Sequence, residues 1–172
     1  SEVSSLNNFI DQEVNKAEYG TGAAVAAAGQ ALTYGLEKMG YYLQYKWGGG
    51  HAQNFVGVNP NWGSNSFGCD SNGRCYNGMD CSGFVSWAIR TACNPAYGSK
   101  TTYYMKHGPS INISKVKPGD LMLDADSHVR LVLKNNGNTV IVAEEAGGST
   151  SGLVFNQYST VAGYEFIDMS DY

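Results

Sequence analysis

Hydrophobic residues recur every three to four positions in two stretches near the N-terminus. The first stripe is formed by Leu6, Phe9, Ile10, Val14 and Ala17. This spacing predicts an amphipathic helix that begins at a serine cap, Ser4 or Ser5, and ends at the glycines that follow. A second, alanine-rich helix is predicted over residues 23–39, with Gly40 as its C-terminal stop.

A third helical pattern covers residues 80–92, where apolar residues form two stripes. One stripe contains Phe84, Trp87 and Ala88, and the other contains Val85, Ile89 and Ala92. Two stripes indicate a helix that is buried around most of its circumference. Asp80 and Ser82 favour a helix start, so Cys81 is expected in the first turn.

The apolar pattern changes to strict alternation in the C-terminal third of the chain. Residues 128–133 alternate, and the Asn-Gly pair at 136–137 with the apolar stretch 139–145 then indicates a hairpin. Residues 121–123 begin an earlier strand, and residues 153–169 indicate one or two further strands.

The hairpin turn predicts which side chain faces His128. If Asn136 and Gly137 form a two-residue turn, counting outward pairs His128 with Glu145 on one face of the sheet, about 5 Å apart at Cβ. Glu144 would then point to the opposite face. A β-bulge would shift this parity by one residue and favour Glu144 instead. A carboxylate beside the histidine would fix its tautomer and support its protonated form.

Cys81 is the candidate nucleophile. In the first turn of a helix, free backbone N–H groups and the positive end of the helix dipole stabilise a thiolate. The alternative is that Cys81 is a small buried hydrophobic residue, the commonest role of a free cysteine. With His128 and Glu145 it forms a Cys-His-acid set in chain order. Cys93, near the end of the same helix, is expected to be buried and inert.

Residues 51–79 form a long loop rich in Asn, Gly and Ser, and loops of this length are usually functional or mobile. Cys69 and Cys75 flank a turn in this loop, which predicts a disulfide worth about 2 kcal/mol and an extracytoplasmic location. A zinc site is the alternative, but further ligands with suitable spacing are missing nearby. His51 and His107 are expected to be surface residues rather than ligands.

Composition narrows the classes of function. The 172 residues are enough for one domain with a proper core, and the net charge is −4 without any cluster of Lys or Arg, so nucleic-acid binding is not expected. The sequence lacks an apolar run long enough for a membrane span. Because the chain begins at Ser1 without a methionine or signal peptide, we expect a processed or truncated form.

Four short motifs resemble the NlpC family of cell-wall cysteine peptidases. In the family's order they are Tyr45-Lys46-Trp47-Gly48-Gly49, Asp80-Cys81-Ser82-Gly83-Phe84-Val85, Pro118-Gly119-Asp120-Leu121 and Ser127-His128-Val129. The resemblance implies a papain-like α+β fold over residues 31–172, in which a cysteine-bearing helix packs on an antiparallel sheet that carries the histidine. Residues 1–30 would be an N-terminal helical extension, and residues 51–79 would be an insertion.

The resemblance also implies a chemistry, namely hydrolysis of amide bonds in peptidoglycan stem peptides, next to γ-linked D-glutamate. Cys81 would be the nucleophile, His128 the base and Glu145 the residue that orients His128. No metal or cofactor would be needed. The enzyme is expected to be a monomer that is secreted or associated with the cell wall.

Substrate-binding residues are expected around the glycines at 48–50, which permit a close backbone approach. The candidates are Tyr45, Trp47, Asp80 and Ser82. For the aromatic residues beside the glycines, the alternative is an ordinary turn that packs on the core.

The chain departs from the family pattern in three places, which leave its substrate open. Residues 51–79 are unusually long, Arg130 stands where a glycine commonly follows, and a glutamate replaces the usual orienting histidine. One alternative is a related papain-like amidase that cuts the sugar–peptide amide. Another is a wall-binding module whose catalytic residues are vestigial.

Overall fold

The structure, a computed structural model, describes residues 2–17, 20–60, 62–106, 108–147 and 152–170. The helices of this part are α1 (Glu2–Lys16), α2 (Gly20–Met39) and α3 (Cys81–Ala92). Its strands are β1 (Ser110–Ile111), β2 (Leu121–Asp124), β3 (His128–Asn135), β4 (Val140–Ala146), β5 (Gly152–Tyr158) and β6 (Glu165–Ile167). His107, which we expected on the surface, lies outside the described residues.

The strands form one antiparallel sheet in the order β1-β6-β2-β3-β4-β5. Helix α3 packs on β3 and β4, α2 packs on α3 and β3, and α1 packs on α2. This arrangement confirms the predicted α+β fold, with the cysteine-bearing helix on an antiparallel sheet.

The main core lies between the helices and one face of the sheet. It includes Leu32 of α2, Phe84 and Trp87 of α3, and Leu131 of β3, all fully buried. A smaller cluster covers the other face and consists of Val116, Met122, Val132, Val140, Val142 and Phe166. The domain boundary expected at residues 30/31 falls inside α2, and side chains on both sides of it belong to the main core.

The start of α3 is fixed by its cap and by a backbone contact with the glycine turn. Asp80 is the N-cap, and its Oδ1 accepts a hydrogen bond from the Gly83 N–H at 2.7 Å. A Cβ atom on Gly83 would lie 1.9 Å from the Gly49 carbonyl oxygen, and one on Gly50 would lie 2.6 Å from the Gly83 carbonyl carbon. These positions therefore require glycine, which explains the close approach expected from residues 48–50.

The β3–β4 hairpin differs from the predicted two-residue turn. Asn135 pairs with Val140, so the connection has four residues, which shifts the register by two positions and preserves its parity. A bulge between Val132 and Lys134 then shifts the register back by one position, so that beyond it the pairing differs from the predicted one by a single residue. The predicted pairing of His128 with Glu145 is therefore wrong, because the bulge exchanges the faces of the adjacent β4 residues relative to β3.

The 51–79 insertion is attached to α3 by buried side chains. Arg90 is 1% exposed and donates hydrogen bonds to the carbonyl oxygens of Gly50, Phe55 and Gly98. The Trp87 indole donates to the Gly57 carbonyl oxygen at 2.8 Å. A donor within α3 thus satisfies each of these loop carbonyls, so the insertion has a defined path without regular secondary structure of its own.

The cysteines and the helices bear on three further expectations. Cys69 and Cys75 form the predicted disulfide. Cys93 is a free thiol, but the expectation that it is buried is wrong, because it lies at the C-cap of α3 and is only half-buried. Within the described ranges, none of the helices is both long enough and apolar enough to cross a membrane.

Replacing Gly83 with alanine should destabilise the fold, because the new methyl group would overlap the Gly49 backbone. We expect Gly83→Ala to lower the free energy of unfolding by about 2 kcal/mol or more. Gly63→Ala is the matched control, since nothing lies within 4 Å of its Cβ position, and it should change stability by less than about 0.5 kcal/mol. Denaturant titration measures both. Equal effects of the two substitutions would contradict the interlocked backbone.

Candidate active site

Cys81 and His128 meet where the start of α3 approaches the start of β3. The Cys81 side chain is largely covered but retains 6% exposure. His128 Nε2 is hydrogen-bonded to Glu144 Oε1 at 2.7 Å, so Nδ1 is the ring nitrogen left for the Cys81 thiol. Burial alone lowers the pKa of His128, but the hydrogen bonds to Cys81 and Glu144, with their charges, raise it to about 9. The imidazole is therefore protonated near neutral pH.

Glu144 is 2% exposed and is held by four donors. Oε1 accepts from His128 and from Arg130 Nε at 3.1 Å, whereas Oε2 accepts from Asn156 Nδ2 at 3.0 Å and from the Tyr158 hydroxyl at 2.7 Å. Burial opposes ionisation, but these hydrogen bonds and the charge on Arg130 lower the pKa of Glu144 to about 2. Glu144 is thus a fully satisfied carboxylate beside an imidazolium.

Glu145 occupies a very different environment on the opposite face of β4. It is 0% exposed, and neither carboxyl oxygen has a hydrogen-bond partner among the described residues. Burial raises the pKa of Glu145 to about 9, and the negative charges of Asp80 and Cys81 add to the rise. The residue expected to orient His128 is therefore a neutral carboxyl group turned toward α3, and Glu144 occupies the orienting position.

Asp80 connects the glycine turn to α3, the helix that carries Cys81. Besides capping α3, it accepts from the Gly48 N–H at 3.0 Å and from His51 Nε2 at 2.9 Å. The Ser82 hydroxyl lies 3.3 Å from the same carboxylate and 3.2 Å from His51. Both expected substrate-binding residues at this position, Asp80 and Ser82, are thus buried in an internal network.

His51 is a member of this network and not a surface residue. Its side chain is only 20% exposed, and its Nδ1 is hydrogen-bonded to the Ser99 hydroxyl. The expectation that it lies at the surface is wrong, because the loop after the glycines turns back over the start of α3. In the sequence, the only indication that His51 lies near the cysteine motif is its position directly after the glycines at 48–50.

Tyr45 and Trp47 directly precede the glycine turn. Burial raises the pKa of Tyr45 to about 12, helped by the negative charges of Cys81, Asp80 and Glu145, so its hydroxyl keeps its proton. Trp47 is 81% exposed. It stands at the rim of a cleft of about 330 Å³, whose other walls are formed by Gly48, His51, Ala52, Asp70, Tyr76, Asp80 and Thr101.

Several residues of the site did not emerge from the sequence. Arg130 was noted only as a departure from a pattern, and Asn156 and Tyr158 on β5 were not identified. The sequence pattern that could have identified Asn156 and Tyr158 is the alternation along β5, which places both side chains on the face that carries Glu144.

A helix-start thiol, a protonated histidine and an ionised carboxylate on an antiparallel sheet define the papain-like class of cysteine hydrolase sites. A model of the NlpC/P60 family matches residues 42–166, which is most of the chain, and the protein belongs to that family. Membership implies a cell-wall peptidase or amidase activity with peptidoglycan as substrate. Comparisons with curated proteins and with solved structures gave no match.

Glu145→Gln should stabilise the protein more strongly at alkaline than at acidic pH. Glu145 ionises above about pH 4 in the unfolded chain, but the folded protein retains the proton until about pH 9. The wild type therefore loses stability from this group as the pH rises between these values. We expect the variant's gain to be larger at about pH 8 than at about pH 5, by about 1 kcal/mol or more.

Denaturant unfolding at the two pH values measures this difference. Glu37→Gln is the control, because Glu37 is exposed on α2 and its replacement should give the same small effect at both. A Glu145→Gln effect that does not change with pH would show that Glu145 ionises normally in the folded protein.

Proposed function

We propose that the protein is a cysteine peptidase that hydrolyses amide bonds in peptidoglycan stem peptides. The observation that carries this proposal is the Cys81–His128–Glu144 arrangement. It contains a thiol at a helix start, a histidine with a pKa of about 9, and a carboxylate that four donors hold ionised. Cleavage next to γ-linked D-glutamate is the specificity that the family resemblance suggests.

In the proposed reaction, the Cys81 thiolate attacks the amide carbon and a tetrahedral intermediate forms. Its oxyanion requires hydrogen-bond donors in place, and the Cys81 backbone N–H at the start of α3 is one candidate. The His128 imidazolium donates its proton to the leaving amine, and the C–N bond breaks to leave a thioester. Neutral His128 then takes a proton from water, which attacks the thioester and releases the carboxylic acid, so the Cys81 thiolate and the His128 imidazolium are restored.

Glu144 supports both halves of this reaction. Its bond to Nε2 fixes the ring so that Nδ1 faces Cys81. Its charge favours the imidazolium before the amine leaves. Because Glu144 is itself held by Arg130, Asn156 and Tyr158, the ring is held in place from β3, β4 and β5.

We assign substrate contacts to Trp47 and Tyr45 rather than to the buried side chains of Asp80 and Ser82. The exposed Trp47 indole can cover part of a bound peptide at the rim of the cleft. The insertion supplies Asp70 and Tyr76 on the facing wall, and the Cys69–Cys75 disulfide closes the turn between them. Family members are often extracytoplasmic, and the disulfide agrees with secretion or wall association of a monomer.

Digestion of purified peptidoglycan, followed by mass spectrometry of the products, tests the proposed function. The wild type should release fragments with new amine and carboxyl ends inside the stem peptide. Cys81→Ala should release none while its unfolding curve stays cooperative, because the reaction lacks its nucleophile. Release of intact stem peptides would identify the sugar–peptide amidase instead. Cleavage by Cys81→Ala at the wild-type rate would refute the mechanism.

Substitution of the two adjacent glutamates tests the orienting residue. Glu144→Gln keeps the shape but removes the charge beside His128, so turnover should fall on the order of 10²-fold or more, as when the acid of a triad is removed. Glu145→Gln replaces a neutral group with another neutral group and should change turnover only slightly. Initial rates on the same stem-peptide substrate measure both. A larger loss for Glu145→Gln would exclude Glu144 as the orienting residue.

A further inference from the structure

Arg130 is buried between two aromatic rings beside the candidate site. Its guanidinium carbon lies 3.8 Å from the ring centre of Tyr158 and 4.1 Å from that of Tyr164, and the residue is only 9% exposed. From this position Nε donates to Glu144 Oε1, the oxygen that also accepts from His128 Nε2. Both cationic side chains of β3 on this face therefore meet at one carboxylate oxygen.

We propose that Arg130 is a positioning residue that keeps Glu144 ionised and directed at His128 throughout the reaction cycle, including the stage at which His128 has lost its proton. This inference rests on the proposed function, because it concerns the residue that orients the general base. It assigns a role to the arginine that stands where the family commonly has glycine.

The reaction itself creates the need for such a residue. Before the amine leaves, Glu144 is paired with an imidazolium, but after proton transfer His128 is neutral. Without Arg130, a carboxylate this deeply buried would then have no cationic neighbour and would favour its protonated form. A protonated Glu144 would no longer stabilise the next imidazolium. The guanidinium is charged at every stage, so it supplies the counter-charge when His128 does not.

Tyr158 and Tyr164 also restrict the position of the Arg130 guanidinium. The rings of Tyr158 and Tyr164 cover both of its faces, and Tyr158 donates to the second oxygen of Glu144 at 2.7 Å. The Tyr164 ring additionally contacts the His128 ring edge to face, at 6.5 Å between centroids. Tyr158 and Tyr164 together therefore fix the positions of Arg130, Glu144 and His128 relative to each other.

The ionisable groups around Glu144 come from several elements. His128 and Arg130 face it from β3, and Tyr158 faces it from β5. Burial raises the pKa of Tyr164, which precedes β6, and the negative charge of Asp124 at the end of β2 adds to the rise. Cys81 interacts with His128, which in turn is hydrogen-bonded to Glu144. Apart from His128, Arg130 is the one cation among the described residues that is hydrogen-bonded to Glu144.

NMR titration of the isotope-labelled glutamate carboxyl groups tests the proposal without any substrate. The Glu144 resonance is assigned by its loss in Glu144→Gln. In Arg130→Met the pKa of Glu144 should rise by about one unit or more, and kcat should fall by about tenfold or more with little change in KM. Arg130→Lys retains the charge, so it should keep the pKa of Glu144 within about half a unit of the wild type.

Lys106→Met is the matched control, because it removes a cation paired with Glu165 elsewhere on the sheet and should leave Glu144 unchanged. An unchanged Glu144 pKa in Arg130→Met would overturn the proposal. If that variant does not fold, Arg130→Lys decides, and a rise of about one unit or more despite the retained charge would overturn it. Absence of peptidoglycan cleavage by the wild type would refute the proposed function, whereas the titration would still report on the Arg130–Glu144 pair.

Discussion

The backbone contact between the glycine turn at 48–50 and the first turn of α3 sets the position of Cys81. A Cβ atom on Gly83 would lie 1.9 Å from the Gly49 carbonyl oxygen, and one on Gly49 would lie 2.0 Å from the Gly78 carbonyl oxygen, so neither residue can carry a side chain. The Asp80 N–H donates to the Gly49 carbonyl oxygen at 3.1 Å. The Asp80 carboxylate in turn accepts a hydrogen bond from the Gly48 N–H. This two-way connection fixes the N-cap, so the thiol that follows it is held at the end of a helix that otherwise lies in the core.

Two adjacent glutamates on β4 show how environment assigns opposite charge states to one kind of side chain. Glu144 has four donors and a neighbouring guanidinium, and its pKa falls to about 2. Glu145, one residue later and equally buried, has no donors among the described residues, and its pKa rises to about 9. Near neutral pH, one negative charge therefore lies on the His128 side of the sheet. The other carboxyl group, on the Cys81 side, is neutral and does not oppose a thiolate.

The sequence was sufficient for the helices, for the hairpin strands and for the family. Apolar spacing predicted α1, α2, α3 and the hairpin strands, and the motifs predicted Cys81 and His128, because these features depend on residues close together in the chain. The orienting residue depended on a bulge at residue 133, which changes the parity of the whole strand. Asn135 beside it donates to the carbonyl oxygens of Ile113 and Val116. Contacts of this kind join segments that are distant in the sequence, so the spacing of apolar residues within one strand cannot predict them.

The long insertion is best understood as part of the site rather than as an addition to it. It starts from the glycine turn, and Arg90 and Trp87 of α3 hold it at Phe55 and Gly57, so both of its attachments are to elements that position Cys81. Later in the loop, Asp70 and Tyr76 form the wall of the cleft that faces Trp47. The donors of α3 bond the start of this loop, at Phe55 and Gly57, so the path of the loop begins beside the helix that carries Cys81. Because residues 51–79 supply Asp70 and Tyr76, a chain with the family's short connection would lack these two wall residues.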